Sequence, residues 1–226
     1  MSLDFSFLSE YYPLYISGTK NTILLAIFSV LIGAIIGTGL ALMKLSKSKI
    51  LKSISVAYIE FIRGTPLLIQ LSIFYYAILP ALGVNSRGDT IFGGDVIGFM
   101  ACIIAISLNS AAYVAEIIRA GIESIDNGQM EAARSLGMNK VQAMRYIILP
   151  QAIKNILPAL GNEFIVVIKE SSIVSVIGIQ EIMYNAQTIT SATFSPFPPL
   201  IVAAIIYFVL TFTLSKALGV LERRLK

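Results

Sequence analysis

Apolar runs long enough to cross a membrane recur along this chain, and that recurrence restricts its fold more than any other feature. A helix rises 1.5 Å per residue, so about 20 apolar residues span the hydrocarbon core of a bilayer. Such runs extend from Thr19 to Met43, Ile54 to Leu79, Val96 to Ile118, Ile156 to Gly178 and Pro198 to Val220. The expected fold is all-α and integral to a membrane, with five transmembrane helices. Two of the runs are impure. Arg63, Gly64, Thr65 and Pro66 interrupt the second, and Glu163, Lys169 and Glu170 lie within the fourth, so a hydropathy average can split or miss either. Only 13% of the residues are charged and 56% are hydrophobic, about half the charge of a soluble domain. A soluble protein of this length would need far more polar surface than the chain offers.

The residue inventory closes other routes. With Cys102 the only cysteine and no histidine, an intrachain disulfide is impossible and a Cys/His metal site is unsupported. Cys102 sits in an apolar run and reads as a small hydrophobe packed between helices. The net charge of +4 does not point to nucleic acid, because the basic residues flank the apolar runs and form no continuous stripe.

Those flanks set the topology. Lys44, Lys47, Lys49 and Lys52, then Arg119, Arg134, Lys140, Arg145 and Lys154, then Lys216, Arg223, Arg224 and Lys226 fall on one side of the membrane, against Lys20 and Arg87 on the other. The side rich in Lys and Arg is cytoplasmic, which puts the N-terminus outside and the C-terminus inside. The opening MSLDFSFLSEYYPLY carries acid and no small-residue cleavage site, so the first span is expected to remain as an uncleaved anchor. Residues 1–18 read as an extracytoplasmic amphipathic segment on the membrane surface, and residues 19–226 as one transmembrane domain. The long segment from Arg119 to Asn155 is then cytoplasmic. Good helix formers flank Gly137, and Asn139 offers an N-cap, so two short helices hinged at Gly137 are expected. Met130, Ala133 and Leu136 would share a face of the first, and Val141, Met144 and Ile148 a face of the second.

This segment also carries Glu131, Ala132 and Ala133, then Gly137, then Ile147, Leu149 and Pro150. In that spacing it resembles the coupling loop of membrane subunits of ATP-binding-cassette importers. A short helix, a glycine bend and a second helix would make the rigid knob needed to transmit motion from a soluble engine. The resemblance implies the type I importer fold, with the coupling loop at about residues 120–154 and its small alanines seated in a groove of the ATPase. The chain has no Gly-x-x-x-x-Gly-Lys-Ser/Thr phosphate loop, so it is expected to be non-catalytic, with ATP and Mg held by a partner. Two ATPase subunits and a second copy of this chain, forming a homodimer, are expected partners. Arg63-Gly-Thr-Pro-Leu-Leu68, Asn109-Ser-Ala-Ala-Tyr-Val-Ala-Glu116 with Arg119 and Gly121, and Lys169-Glu-Ser-Ser172 extend the resemblance to the polar amino-acid branch. That branch is similar to permeases for arginine, histidine and glutamine. It implies an extracellular substrate-binding protein and the cell membrane of a prokaryote.

Polar side chains inside a span cost several kcal/mol unless they face protein or water, so each marks a candidate site. Asn109, Tyr113 and Glu116 share a face of the third span, Glu163 and Glu170 a face of the fourth, with Asn162 and Lys169 on the neighbouring stripe. Asn109, Ser110, Asn162, Glu163, Lys169 and Glu170 are the candidate substrate residues. Glu116, near the cytoplasmic end, is expected to pair with Arg119 or cap the coupling segment. Arg63, Gly64, Thr65 and Pro66 should kink the second span and serve a gate, because proline removes a helix hydrogen bond. Gly33 and Gly37 form a Gly-x-x-x-Gly pattern suited to close packing. An ionised Glu163 facing the pathway would favour a cationic side chain, that of arginine, lysine or histidine. The alternatives are glutamine, cystine or another polar amino acid, or an ATP-independent secondary transporter, for which no inverted repeat is visible.

Overall fold

The computed structural model describes residues 3–84 and 95–225; Arg87 and Lys226, which entered the charge count, lie outside them. No β-strand occurs among the described residues. α1 spans Leu8–Lys44, 37 residues without a break. Residues 8–18, read from sequence as a separate surface segment, are therefore the first turns of that same helix, and residue 18 is not a boundary in the backbone. After a short turn, Ser48 caps α2 (Lys49–Arg63) by accepting from the Leu51 amide.

A sharp corner follows. α2 and the next helical stretch, Leu67–Ala81, meet at 105°. That stretch comprises α3 (Leu67–Ile73), a π turn at Phe74–Ile78 and α4 (Leu79–Ala81). The sequence foresaw a kinked rod here, whereas the backbone turns through more than a right angle. Asp95 then caps α5 (Val96–Glu123). α6 (Asn127–Ser135) and α7 (Lys140–Ala143) follow, and a π turn at Met144–Ile148 leads into α8 (Leu149–Glu170). A 3-10 helix, Ser171–Ile177, ends at Gly178, and α9 (Ile182–Thr193) and α10 (Phe197–Leu225) complete the chain.

Both π turns precede a Leu-Pro pair, Leu79-Pro80 and Leu149-Pro150. In each, the leucine amide reaches five residues back, to Phe74 O and Met144 O. Proline lacks an N–H and its ring crowds the carbonyl four residues earlier; widening the turn is one way to accommodate it.

α5 is the axis of the packing, buried along most of its length. α1 lies against it with almost no side chain between. A Cβ on Gly37 would stand 2.7 Å from Ala111 O and 2.8 Å from Val114 Cβ, and one on Gly33 would crowd Ser107 and Ser110 at 3.2 Å. The sequence's Gly-x-x-x-Gly pattern is thus an α1–α5 contact. Leu25, Leu71, Ile106, Val167, Ile168 and Val174 form the main core where α1, α3, α5, α8 and the 3-10 helix meet.

α9 is held by polar side chains that the sequence reading did not single out. The buried Glu181 carboxylate accepts from the Met183 and Tyr184 amides, which caps α9, and from Tyr207 Oη on α10 at 2.6 Å. α1 reaches the same place. Asn21 Nδ2 donates to Gln180 O, Leu14 O accepts from Asn185 Nδ2, and Tyr15 Oη donates to Pro199 O at 2.8 Å.

α1, α5 and α10 are each long and apolar enough to cross a membrane, and the α2–α4 pair is a fourth if the corner belongs to one span. α8, which holds most of the fourth expected run, is not among them; it carries Lys154, Asn155, Asn162, Glu163, Lys169 and Glu170. Gly37→Val should destabilise the fold by about 1–3 kcal/mol through overpacking against α5. Gly39→Val, whose Cβ meets nothing within 4 Å, should change little. Thermal unfolding of the two purified variants in detergent checks the pair.

Candidate functional site

The corner between α2 and α3 is a consequence of Pro66. In a continuous helix the Ile62 carbonyl would accept from the amide of residue 66, and Pro66 has none to give. The Gln70 side chain replaces that donor: its Nε2 lies 2.8 Å from Ile62 O, 3.1 Å from Thr65 O and 2.8 Å from Thr65 Oγ1. Thr65 Oγ1 itself donates to Phe61 O. Arg63 ends α2 with its guanidinium 5.6 Å from the centre of the Tyr113 ring on α5, a cation–π contact. The four residues expected at a gate therefore sit together, at a break in the backbone packed against α5.

Two of the candidate substrate residues project from the same stretch of α5, each toward a different neighbour. Asn109, 5% exposed, donates from Nδ2 to Gln70 Oε1 at 2.9 Å. Ser110 Oγ donates to Glu163 Oε1 on α8 at 2.7 Å. Glu163 is 8% exposed and has no cationic partner among the described residues; Lys169 does not pair with it. Nearly two turns further along α8, Lys169 and Glu170 line a cavity of about 460 Å³ with Leu67, Val166, Ser172 and Ile173. Leu67 is the first residue of α3, so this cavity opens beside the break. Asn162 is exposed on the neighbouring face and joins neither cluster. Sequence reasoning missed Gln70, although a polar amide four residues after a proline inside an apolar run is a visible signal.

Glu116 bonds on two sides, to Arg119 at 2.8 Å and to Lys44 at the end of α1; Arg119 also pairs with Glu123. The expected Glu116–Arg119 pair is present, extended by a link to α1.

The segment between α5 and α8, expected from the sequence to be cytoplasmic, forms a knob closed by caps at both bends. Asp126 caps α6 by accepting from the Gly128 amide. At the far end the Met138 amide bonds Ala133 O and the Gly137 amide bonds Arg134 O, a Schellman closure made possible by Gly137 at φ 86°. Asn139 and Gln142 then exchange reciprocal side-chain bonds to each other's amides, a capping box that starts α7. The second expected helix is not separate, because α7 runs through the π turn into α8. That turn inserts an extra residue into the period, which rotates the faces. Val141 is 75% exposed while Ile148, expected on the same face, is 4% exposed. Ala133, expected to face a partner's groove, is 4% exposed and packed within its own chain. Glu131, Ala132 and Gly137 are exposed, Ile147 lies in the π turn, and Leu149 and Pro150 open α8. Leu136 at 84% exposure and Tyr146 stand out beside a groove of about 310 Å³ lined by Leu136, Gly137, Met138, Gln142 and Tyr146.

Comparison with known proteins adds an independent line. Residues 13–226 match the family described as binding-protein-dependent transport system inner membrane component. The chain is 42% identical over 224 residues to a protein of Rickettsia bellii named for glutamine transport as a permease, covering 98% of each. It is also 42% identical over 226 residues to the arginine transport system permease protein of Bacillus subtilis, covering 100% of this chain and 99% of that one. A crystal structure described as an amino acid ABC transporter with histidines superposes with a TM-score of 0.90 at 52% identity, covering 99% of this chain and 100% of that one. The MetNI methionine ABC transporter, at 17% identity and a TM-score of 0.76 over 95% of this chain and 97% of its own, shows the shared fold.

Gly137→Ala places a Cβ in open space, so its cost is purely conformational, about 1–2 kcal/mol for a left-handed residue. Amide hydrogen exchange across residues 127–143 should rise in that variant and rise less in Gly137→Asn, with α5 unchanged.

Proposed function

Because this chain belongs to the family of binding-protein-dependent transport system inner membrane components, we propose that it is the permease subunit through which an ATP-driven importer passes a polar, cationic amino acid into the cytoplasm. The fold is the all-helical fold of type I importers. Arginine, lysine and histidine are the substrates that fit this reading.

The observation that carries it is Glu163. Its carboxylate is buried, faces α5 through Ser110, and pairs with no cation among the described residues. A buried carboxylate without a counter-charge is costly; a substrate guanidinium or ammonium would supply that charge. Asn109 and Ser110 add neutral polar contacts, and Lys169 and Glu170 offer the adjoining cavity one charge of each sign, suited to the carboxylate and ammonium of an amino acid. Asn162, exposed on α8, would meet substrate only from the outer side of that helix.

The knob at α6–α7 is the site for a separate ATPase, which binds ATP and Mg. Leu136, Val141 and Tyr146 offer it apolar surface, and the capped, glycine-closed backbone transmits its motion to α8 without slack. The working assembly is two ATPases and two permease copies, loaded from outside by a binding protein. The chain lies in a prokaryotic cell membrane with its C-terminus on the ATPase side, α8 and its 3-10 extension counting as the fifth span. A neutral substrate is the second reading, favoured by the relative named for glutamine transport.

Substrate-stimulated ATP hydrolysis by the reconstituted complex separates the two. Arginine, lysine or histidine should stimulate most, and Glu163→Gln should remove that preference, on the order of tenfold or more for a lost charged contact. Equal or stronger stimulation by glutamine would reject the cationic reading and leave the importer standing.

A further inference from the structure

We propose that Gln70 is a positioning residue that couples substrate contact at Asn109 to the shape of the α2–α3 break. The inference rests on the reading that amino acids pass beside Asn109.

The geometry of one amide carries it. The nitrogen of Gln70 serves the break: it donates to Ile62 O, the carbonyl orphaned by Pro66, and to the Thr65 carbonyl and hydroxyl. Its oxygen serves the pathway, accepting from Asn109 Nδ2 at 2.9 Å. In an apolar surrounding, unpaired Ile62 and Thr65 carbonyls are strongly disfavoured. The 105° corner is therefore stable only while a donor reaches them, and Gln70 is the side chain that does.

The two ends of this amide cannot move independently. Asn109 is almost fully buried on α5, a rigid helix, so a ligand group that reorients the Asn109 amide also draws on Gln70. Any displacement of Gln70 re-exposes the carbonyls at the corner and changes the favoured angle. The break is thus a two-state element that a substrate at Asn109 biases directly. Gln70 itself need not touch substrate.

Conservative substitutions split the roles. Gln70→Glu keeps an acceptor for Asn109 and loses the donors to the break, whereas Gln70→Met keeps the bulk and loses both. In the assembled, reconstituted transporter, the ratio of amino-acid-stimulated to basal ATP hydrolysis should fall by about five- to tenfold in each, the population shift that one neutral hydrogen bond supplies. Hydrogen exchange of residues 60–72 should respond to the stimulating amino acid in the native protein and not in Gln70→Glu. If Gln70→Met does not assemble, Gln70→Glu makes the same test. A stimulation ratio and exchange response that survive in Gln70→Glu would overturn the inference while leaving the importer reading intact. Failure of every amino acid to stimulate the native complex would remove that reading, and this inference with it.

Discussion

Every polar group that this chain carries into lipid must find its partner within the protein, and the architecture is organised around that demand. Where the backbone is regular the helix ladder meets it. At several irregularities a side chain does: Asp95 at the start of α5, Gln70 at the corner, Glu181 at the head of α9. The two π turns accommodate their prolines by a change of period instead, the preceding leucine amide reaching five residues back. Each device costs some of the freedom of a simple rod and returns a defined break, and breaks are where a transport protein places its moving parts.

α5 joins these features. Its glycine-lined contact with α1 fixes it as an axis, and from that axis Asn109 addresses the corner, Ser110 addresses α8 and Glu116 addresses both Lys44 and Arg119. α8, packed against that axis, runs back through the π turn into α7 of the knob without an intervening loop. A displacement at Val141 or Tyr146 therefore reaches Glu163 and Lys169 through one helical run, interrupted only by a turn of wider pitch.

Much of this was legible in the residues. The apolar runs gave the helical class, Gly137 and Asn139 marked a real bend and a real cap, and Gly33 with Gly37 marked a real close approach. Glu163 and Ser110 were chosen as polar intruders in apolar runs, and they prove to be bonded to each other. What was not legible depended on phase and on distance. The face shared by Val141 and Ile148 was drawn with a constant period of 3.6 and failed because a π turn lies between them. The angle at Pro66 could not be read from a proline alone, since the same residue is compatible with a mild kink or a corner. The polar cluster around Glu181 joins residues from opposite ends of the chain, and no local pattern announces such a meeting.

That cluster has a bearing on how the protein is made. Tyr15, Asn21 and the Leu14 carbonyl find their partners 184, 159 and 171 residues later in the chain. Synthesis runs from the N-terminus, so α1 enters the bilayer long before α9 and α10 exist. Throughout that interval the Tyr15 hydroxyl and the Asn21 amide lack the carbonyls of Pro199 and Gln180 that receive them in the finished fold. The contacts that hold the N-terminal half of the first helix against the last two are therefore completed only when the chain is nearly finished.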